Sequence, residues 1–209
     1  MRLIQRKQSR SALSGCLPGW LRLFSLAVAS MMFADSALVY GQELLRLDDR
    51  SFDNGPFITQ LIAEGRAINL DNRTAYIASE IVWDRLGGSI TNGTILWNGA
   101  PGGVMLRYRG ARARLQDLTI KGGSTVEDRA GVGIQAEYGG GIATSTLHLD
   151  KVSFENLERG FFASAEPFGH QTGNNYFADV SFRMVRFPFW SDNDQKLSGN
   201  VEPVFSEVN

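Results

Sequence analysis

The sequence predicts an all-β solenoid, a parallel β-helix of about five coils behind a short N-terminal capping helix. Three observations predict it. A short apolar pattern returns as Tyr76-Ile77-Ala78-Ser79, Val104-Met105-Leu106-Arg107, Val132-Gly133-Ile134-Gln135, Phe161-Phe162-Ala163-Ser164 and Phe187-Pro188-Phe189-Trp190, at intervals of 28, 28, 29 and 26 residues. A second pattern interleaves with it: Gly93-Thr94-Ile95, Leu118-Thr119-Ile120, Val152-Ser153-Phe154 and Val180-Ser181-Phe182. The 23 glycines against 6 prolines suit a turn-rich, strand-rich chain better than a helical bundle. Repeats of this period mark stacked units, none of which can bury its apolar face alone.

In chain order, residues 1–41 read as an export signal. A basic segment runs to Arg10, an apolar run follows from Leu23 to Ala34, and small residues suited to cleavage precede Ala37 and Gln42. The apolar run is shorter than the ~18–20 residues a spanning helix needs, so no stable membrane span is expected after cleavage. Secretion, the periplasm or the cell surface is the expected destination. Cys16 is the only cysteine and lies in this leader, so no disulfide and no cysteine metal site is expected beyond it. Five basic residues and one acid fall in the leader, leaving the remainder at a net charge of −5, which gives no electrostatic footprint for nucleic acid.

Residues 42–209 are expected to form one β-helix domain. Its polar lead-in gives way to Asp53-Asn54-Gly55-Pro56, which places capping side chains and a proline at the start of a helix over 56–64. Phe57, Ile58, Leu61 and Ile62 share one face of that helix, which must pack on something to be stable. Coils over about 67–205 follow, opening on the alternating strand Ile68-Asn69-Leu70. Alternation turns Tyr76, Val104, Val132, Phe161 and Phe187 inward, together with Ala78, Leu106, Ile134, Ala163 and Phe189. Ile95, Ile120, Phe154 and Phe182 form a second inward column, and Ile90, Leu115, Leu149 and Phe177 a third, which describes a three-sided tube. Glycine-rich insertions at 139–144 and 166–174 are expected as loops on one edge. Nothing after Trp190 is regular enough to cap the last coil, and an uncovered parallel edge predicts self-association, missing sequence or low stability.

This order of elements resembles the N-terminal end of the right-handed parallel β-helix proteins of the pectate-lyase-like superfamily, over about residues 53–205. The resemblance implies a right-handed coil and an exported carbohydrate-active protein that acts on or binds an acidic polysaccharide. If active, it would be a polysaccharide lyase or a glycoside hydrolase. Motifs of the polygalacturonase type do not carry over: Gly169-His170-Gln171 matches two residues of a Gly-His-Gly, and Asp192-Asn193-Asp194 resembles the acidic segments only faintly. The alternatives are a non-catalytic surface or adhesion module and a truncated remnant of a larger enzyme.

Alternation also places Arg109, Glu137, Glu166 and Asp192 at equivalent outward positions on successive coils. Carboxylates one or two coils apart would lie ~5 or ~10 Å from each other, which brackets the separations of retaining and inverting glycosidases. Glu137, Glu166 and Asp192 are therefore the candidate proton-transfer residues, and the competing reading is a solvated column of charge. Arg107 and Arg109, which alternate with Arg112 and Arg114, are candidates for holding uronate carboxylates, against the reading that they pair with Asp117, Glu127 and Asp128. His170 in its glycine-flanked loop and the flat faces of Trp97 and Trp190 complete the candidate substrate contacts. His148 is expected to face outward. Two histidines without short spacing argue against zinc, and no cofactor is implied; for the calcium common among pectate lyases, Asp192 and Asp194 are the local carboxylate pair.

Overall fold

A computed structural model describes residues 44–137, 146–164 and 174–191. Among them one helix, α1 (Gly55–Ala63), precedes nine strands: β1 (Ala67–Ile77), β2 (Ile81–Trp83), β3 (Ser89–Trp97), β4 (Val104–Tyr108), β5 (Ala113–Lys121), β6 (Val132–Glu137), β7 (Thr146–Ser164), β8 (Asn174–Ala178) and β9 (Ser181–Ser191). Every strand pairing is parallel, in the order β1-β3-β5-β7-β6-β4-β2, with β8 and β9 both on β7. The sheet curls on itself, as a β-helix or another solenoid-like fold would.

The curl comes from single residues. Asn92, Asp117, Lys151 and Asp179 all have positive φ, between 49° and 61°, and their flanking residues pair strand to strand, so the four stand at one register level. Asp71 and Asn72 turn β1 at the same stage. Asparagine and aspartate tolerate the left-handed conformation best among residues with a side chain, and five of these six are of that kind. Lys151, the exception, has its ammonium 3.9 Å from the Asp117 carboxylate. A second corner repeats the device with Asn156 (φ 50°) beside Met184 (φ 55°). Strand β7 passes both corners and so contributes to three faces, at residues 146–150, 152–155 and 157–164.

Two of the three expected core columns stand in register as read. Ile68, Ile90, Leu115, Leu149 and Phe177 pair successively on the first face, and Ala75, Ile95, Ile120, Phe154 and Phe182 on the second. All are buried except the half-buried Phe177. The third column needs correction. Tyr76 and Ile77 pair with Leu96 and Trp97, and the strand that stacks under Leu106 to Tyr108 is Ile81-Val82-Trp83. Ala78 is exposed and Tyr76 half-buried, while Ala75 and Ile77 point inward. Further along, Phe161 lies between Ile134 and Phe189, two residues from the expected alignment with Val132 and Phe187. The expected inward residues Val104, Val132 and Phe187 stand outside the core, the last two at the level of Arg159, and the side chains that fill the core here are Leu106, Ile134, Phe161 and Phe189.

Helix α1 packs against β1 and β2, burying Ile58, Leu61 and Ile62. Its bounds fall within one residue of expectation, but Asn54 does not cap it by its side chain. Instead the buried Asn54 amide donates to the carbonyls of Arg46 (3.2 Å) and Tyr76 (3.1 Å) and accepts from the Arg46 N–H, fastening the lead-in to β1. Asp53 fastens the other side, accepting from the N–H groups of Gly55 and Ala78 and from the Ser79 hydroxyl at 2.6 Å. Burial pushes its carboxyl upward, but these hydrogen bonds outweigh it and hold the group below the usual carboxylate range. Residues 1–41, the insertions at 139–144 and 166–173, and the apolar pair Val204-Phe205 lie outside the described residues. No helix among the described residues is long and apolar enough to cross a membrane.

Two outcomes follow from this packing. Phe154 is fully buried and stacks on Phe182 at 5.1 Å, so Phe154→Ala should cost roughly 3–5 kcal/mol in denaturant unfolding. Because the folded state depresses Asp53, its contribution is complete above the unfolded value of about 4 and is lost as pH falls through the lower folded value. Stability measured from pH 6 down to 2 should therefore fall less steeply in Asp53→Asn than in the wild type, starting from a lower plateau.

Candidate functional site

The third face is built from β2, β4, β6, the last part of β7, and β9. Its pairings put Val82, Arg107, Gln135, Phe162 and Trp190 in one column, between inward residues on either side. Three strand spacings separate Arg107 from Trp190, roughly 14 Å. Beside it Glu137 pairs with Ser164, and Arg109, the residue after β4, reaches Glu137 by its side chain. The candidate substrate residues Arg107, Arg109 and Trp190 are thus brought to one face.

Glu137 is 2% exposed although it lies outside the apolar core. One carboxylate oxygen, Oε1, accepts from Arg107 Nη1 and from the Gln135 amide at 2.8 Å, and the other, Oε2, from Arg109 Nε at 2.6 Å. Arg107 reaches back as well to Glu80, at 3.0 Å. Burial works against the Arg107 charge, but the hydrogen bond to Glu80 and the fields of Glu137 and Glu80 outweigh it and raise its pKa further. Both oxygens of Glu137 are thus taken by donors, two of them guanidinium groups, which have no acceptor of their own. A general acid or base needs an oxygen within reach of the reacting proton. As arranged, Glu137 is an anchor that fixes Arg107 and Arg109.

Glu166, Asp192 and His170 lie outside the described residues. The register at Glu137 differs from the expected carboxylate column, because its neighbour on β7 is Ser164. The four arginines are also not on one side. Arg112 occupies a bend with φ 57°, and Arg114 lies on the first face, paired with Asp150 at 3.0 Å rather than with Asp117, Glu127 or Asp128. There it borders a shallow groove of about 510 Å³ with His148, whose exposed ring stacks on Tyr176 at 4.6 Å. Trp97 is buried and donates its indole N–H to the Ala100 carbonyl at 2.9 Å, so it packs rather than presenting a face. Among the described residues no three His, Cys, Asp or Glu side chains are placed to hold a metal ion.

Sequence reading did not single out Gln135, Phe162, Glu80 or Arg159. Phe162 carried a signal, since alternation that turns Phe161 and Ala163 inward must turn Phe162 out. The Arg159 guanidinium lies 5.0 Å from the Phe162 ring and 5.4 Å from that of Trp190, and Trp190 remains 40% exposed. Comparison with family models, with curated proteins and with solved structures returned no match.

If Glu137 is an anchor, Glu137→Gln should lower stability by roughly 1–3 kcal/mol, since buried hydrogen bonds to charged groups are lost and Arg109 is left without its carboxylate. A catalytic Glu137 would instead give a variant of unchanged stability whose release of unsaturated or reducing ends from a uronate polymer is abolished. Urea unfolding and a product assay on the same preparation separate the two.

Proposed function

We propose that this chain is a right-handed parallel β-helix of the pectate-lyase-like kind, exported to the cell surface or beyond, that binds an acidic polysaccharide without cleaving it. The observation that carries the reading is the aromatic end of the outer column on the third face, where the exposed Trp190 ring stands beside a guanidinium, that of Arg159, which no carboxylate among the described residues holds. Guanidinium groups suit the carboxylates of uronate residues, and an aromatic face suits the apolar side of a sugar ring. A rigid parallel ladder holds these groups at fixed intervals, which lowers the ordering cost of binding an extended chain. The non-catalytic form is preferred over a lyase or hydrolase because Glu137 spends both oxygens on its neighbours. No cofactor is invoked.

Affinity electrophoresis of the purified protein through polygalacturonate, alginate and neutral glucans tests this reading. Retardation by one or more acidic polymers and not by neutral ones is expected, with no new unsaturated or reducing ends. Trp190→Ala should weaken retention about 3- to 10-fold, the equivalent of the ~0.5–1.5 kcal/mol an aromatic contact supplies beyond buried area. Steady release of unsaturated ends would replace the binding reading by a lyase, and indifference to every acidic polymer would remove the polysaccharide altogether.

A further inference from the structure

Among the described residues, four arginines on or beside the third face are matched with carboxylates and Arg159 is not. Arg107 and Arg109 hold Glu137, while Arg129 and Arg186 both hold Glu158. Arg159 follows Glu158 directly in sequence, yet each Glu158 oxygen is already committed, Oε2 to Arg129 and Oε1 to Arg186 at 2.9 Å. Among the described residues no carboxylate pairs with Arg159, and its Nε–H is buried without an acceptor. What surrounds it is aromatic: the rings of Phe162 and Trp190, at 5.0 and 5.4 Å.

Aromatic faces favour the cation but leave the in-plane N–H groups of a guanidinium unsatisfied, and a buried donor of a charged group without a partner is costly. Rings that hold the guanidinium plane also fix the direction in which its N–H groups point, and two parallel N–H groups fit a planar oxyanion with two acceptor oxygens. The partly exposed Trp190 ring lies beside that position and offers an apolar surface for what the oxyanion is attached to.

We propose that Arg159, held by Phe162 and Trp190, is the carboxylate-reading position of the binding strip, taking the carboxylate of a uronate whose sugar ring lies against Trp190. This rests on the polysaccharide reading above and sharpens it, because it makes the carboxylate, rather than overall negative charge, the recognised group. Sulfate esters share the charge and can also take two parallel N–H groups, but the ester oxygen sets the anion one atom farther from its sugar ring than a uronate carboxylate, so it does not reach Arg159 from the same seat on Trp190.

The test compares polygalacturonate, its carboxyl-reduced neutral counterpart and dextran sulfate as probes, with wild type, Arg159→Gln and Trp190→Leu. The expected result is tenfold or greater preference of the wild type for polygalacturonate over the reduced polymer, weaker binding of dextran sulfate, and loss of the preference in Arg159→Gln. Trp190→Leu should weaken binding while retaining the preference. If Arg159 is only a packing element, Arg159→Gln unfolds at lower temperature and keeps the preference, which overturns the proposal and leaves the polysaccharide reading intact. Equal or stronger binding of dextran sulfate also overturns it. If the wild type binds no polymer, the function reading fails, and galacturonate monosaccharide then decides the inference separately. Quenching of tryptophan emission in wild type but not in Arg159→Gln upholds it, and no response in either rejects it.

Discussion

The structure depends on one repeated constraint: the chain must turn between faces without breaking a parallel ladder, and between the first two faces β3, β5, β7 and the β8–β9 junction each do so with a single left-handed residue. Because Asn92, Asp117, Lys151 and Asp179 occupy the same register level, the bend costs no insertion and the strands on both sides stay paired. A corner that wandered by one residue would exchange the core and solvent faces of everything after it. Fixed corners are therefore what allow Ile95, Ile120, Phe154 and Phe182 to stack directly and Thr94, Thr119, Ser153 and Ser181 to stand outside them.

Much of this was legible in the sequence, and the failures have a physical cause. The first two core columns could be read because each flanks its corner closely and the spacing from corner to strand hardly varies. The third face is reached only after longer connections, such as residues 78–80 between β1 and β2 or 122–131 between β5 and β6, and their lengths differ. Alternation reports which face a residue occupies and says nothing of which residue it stands beside. That is why Phe161 could be assigned inward correctly and still be placed two residues from its neighbours. The same slip set Glu166 against Glu137 where Ser164 stands. A site defined by residues on adjacent strands is more sensitive to this error than the core is, because the core tolerates any apolar neighbour.

The charged residues of the third face were legible as types and not as partnerships. Sequence order placed Arg107 and Arg109 on alternate positions of one strand, and register brought Glu137 between them. It did not reveal that Glu80 would approach from the preceding turn, leaving Arg107 held from both sides. Nor could it reveal that Glu158, the nearest acid to Arg159, is taken by Arg129 and Arg186. Whether a charge is spent or free is a property of three or four residues from different strands. It emerges only once the ladder is assembled.

The outer columns of the second and third faces differ in a way that bears on purpose. On the second face the outward positions are Thr74, Thr94, Thr119, Ser153 and Ser181, five hydroxyl residues in succession, with the last two 2.5 Å apart. Like stacked on like is what a ladder needs for its own stability, since each level then satisfies the next. On the third face the corresponding column changes character at every step, through valine, arginine, glutamine, phenylalanine and tryptophan. Arg107 and Gln135 are accounted for by Glu137, which accepts from both, but stacking gives no reason for the change to phenylalanine and tryptophan at the next two levels. A ligand that lies across the strands meets a different group at each level, so only a column that varies can distinguish one position along it from the next. That contrast favours the varied face for the proposed recognition, with the uniform face holding the frame.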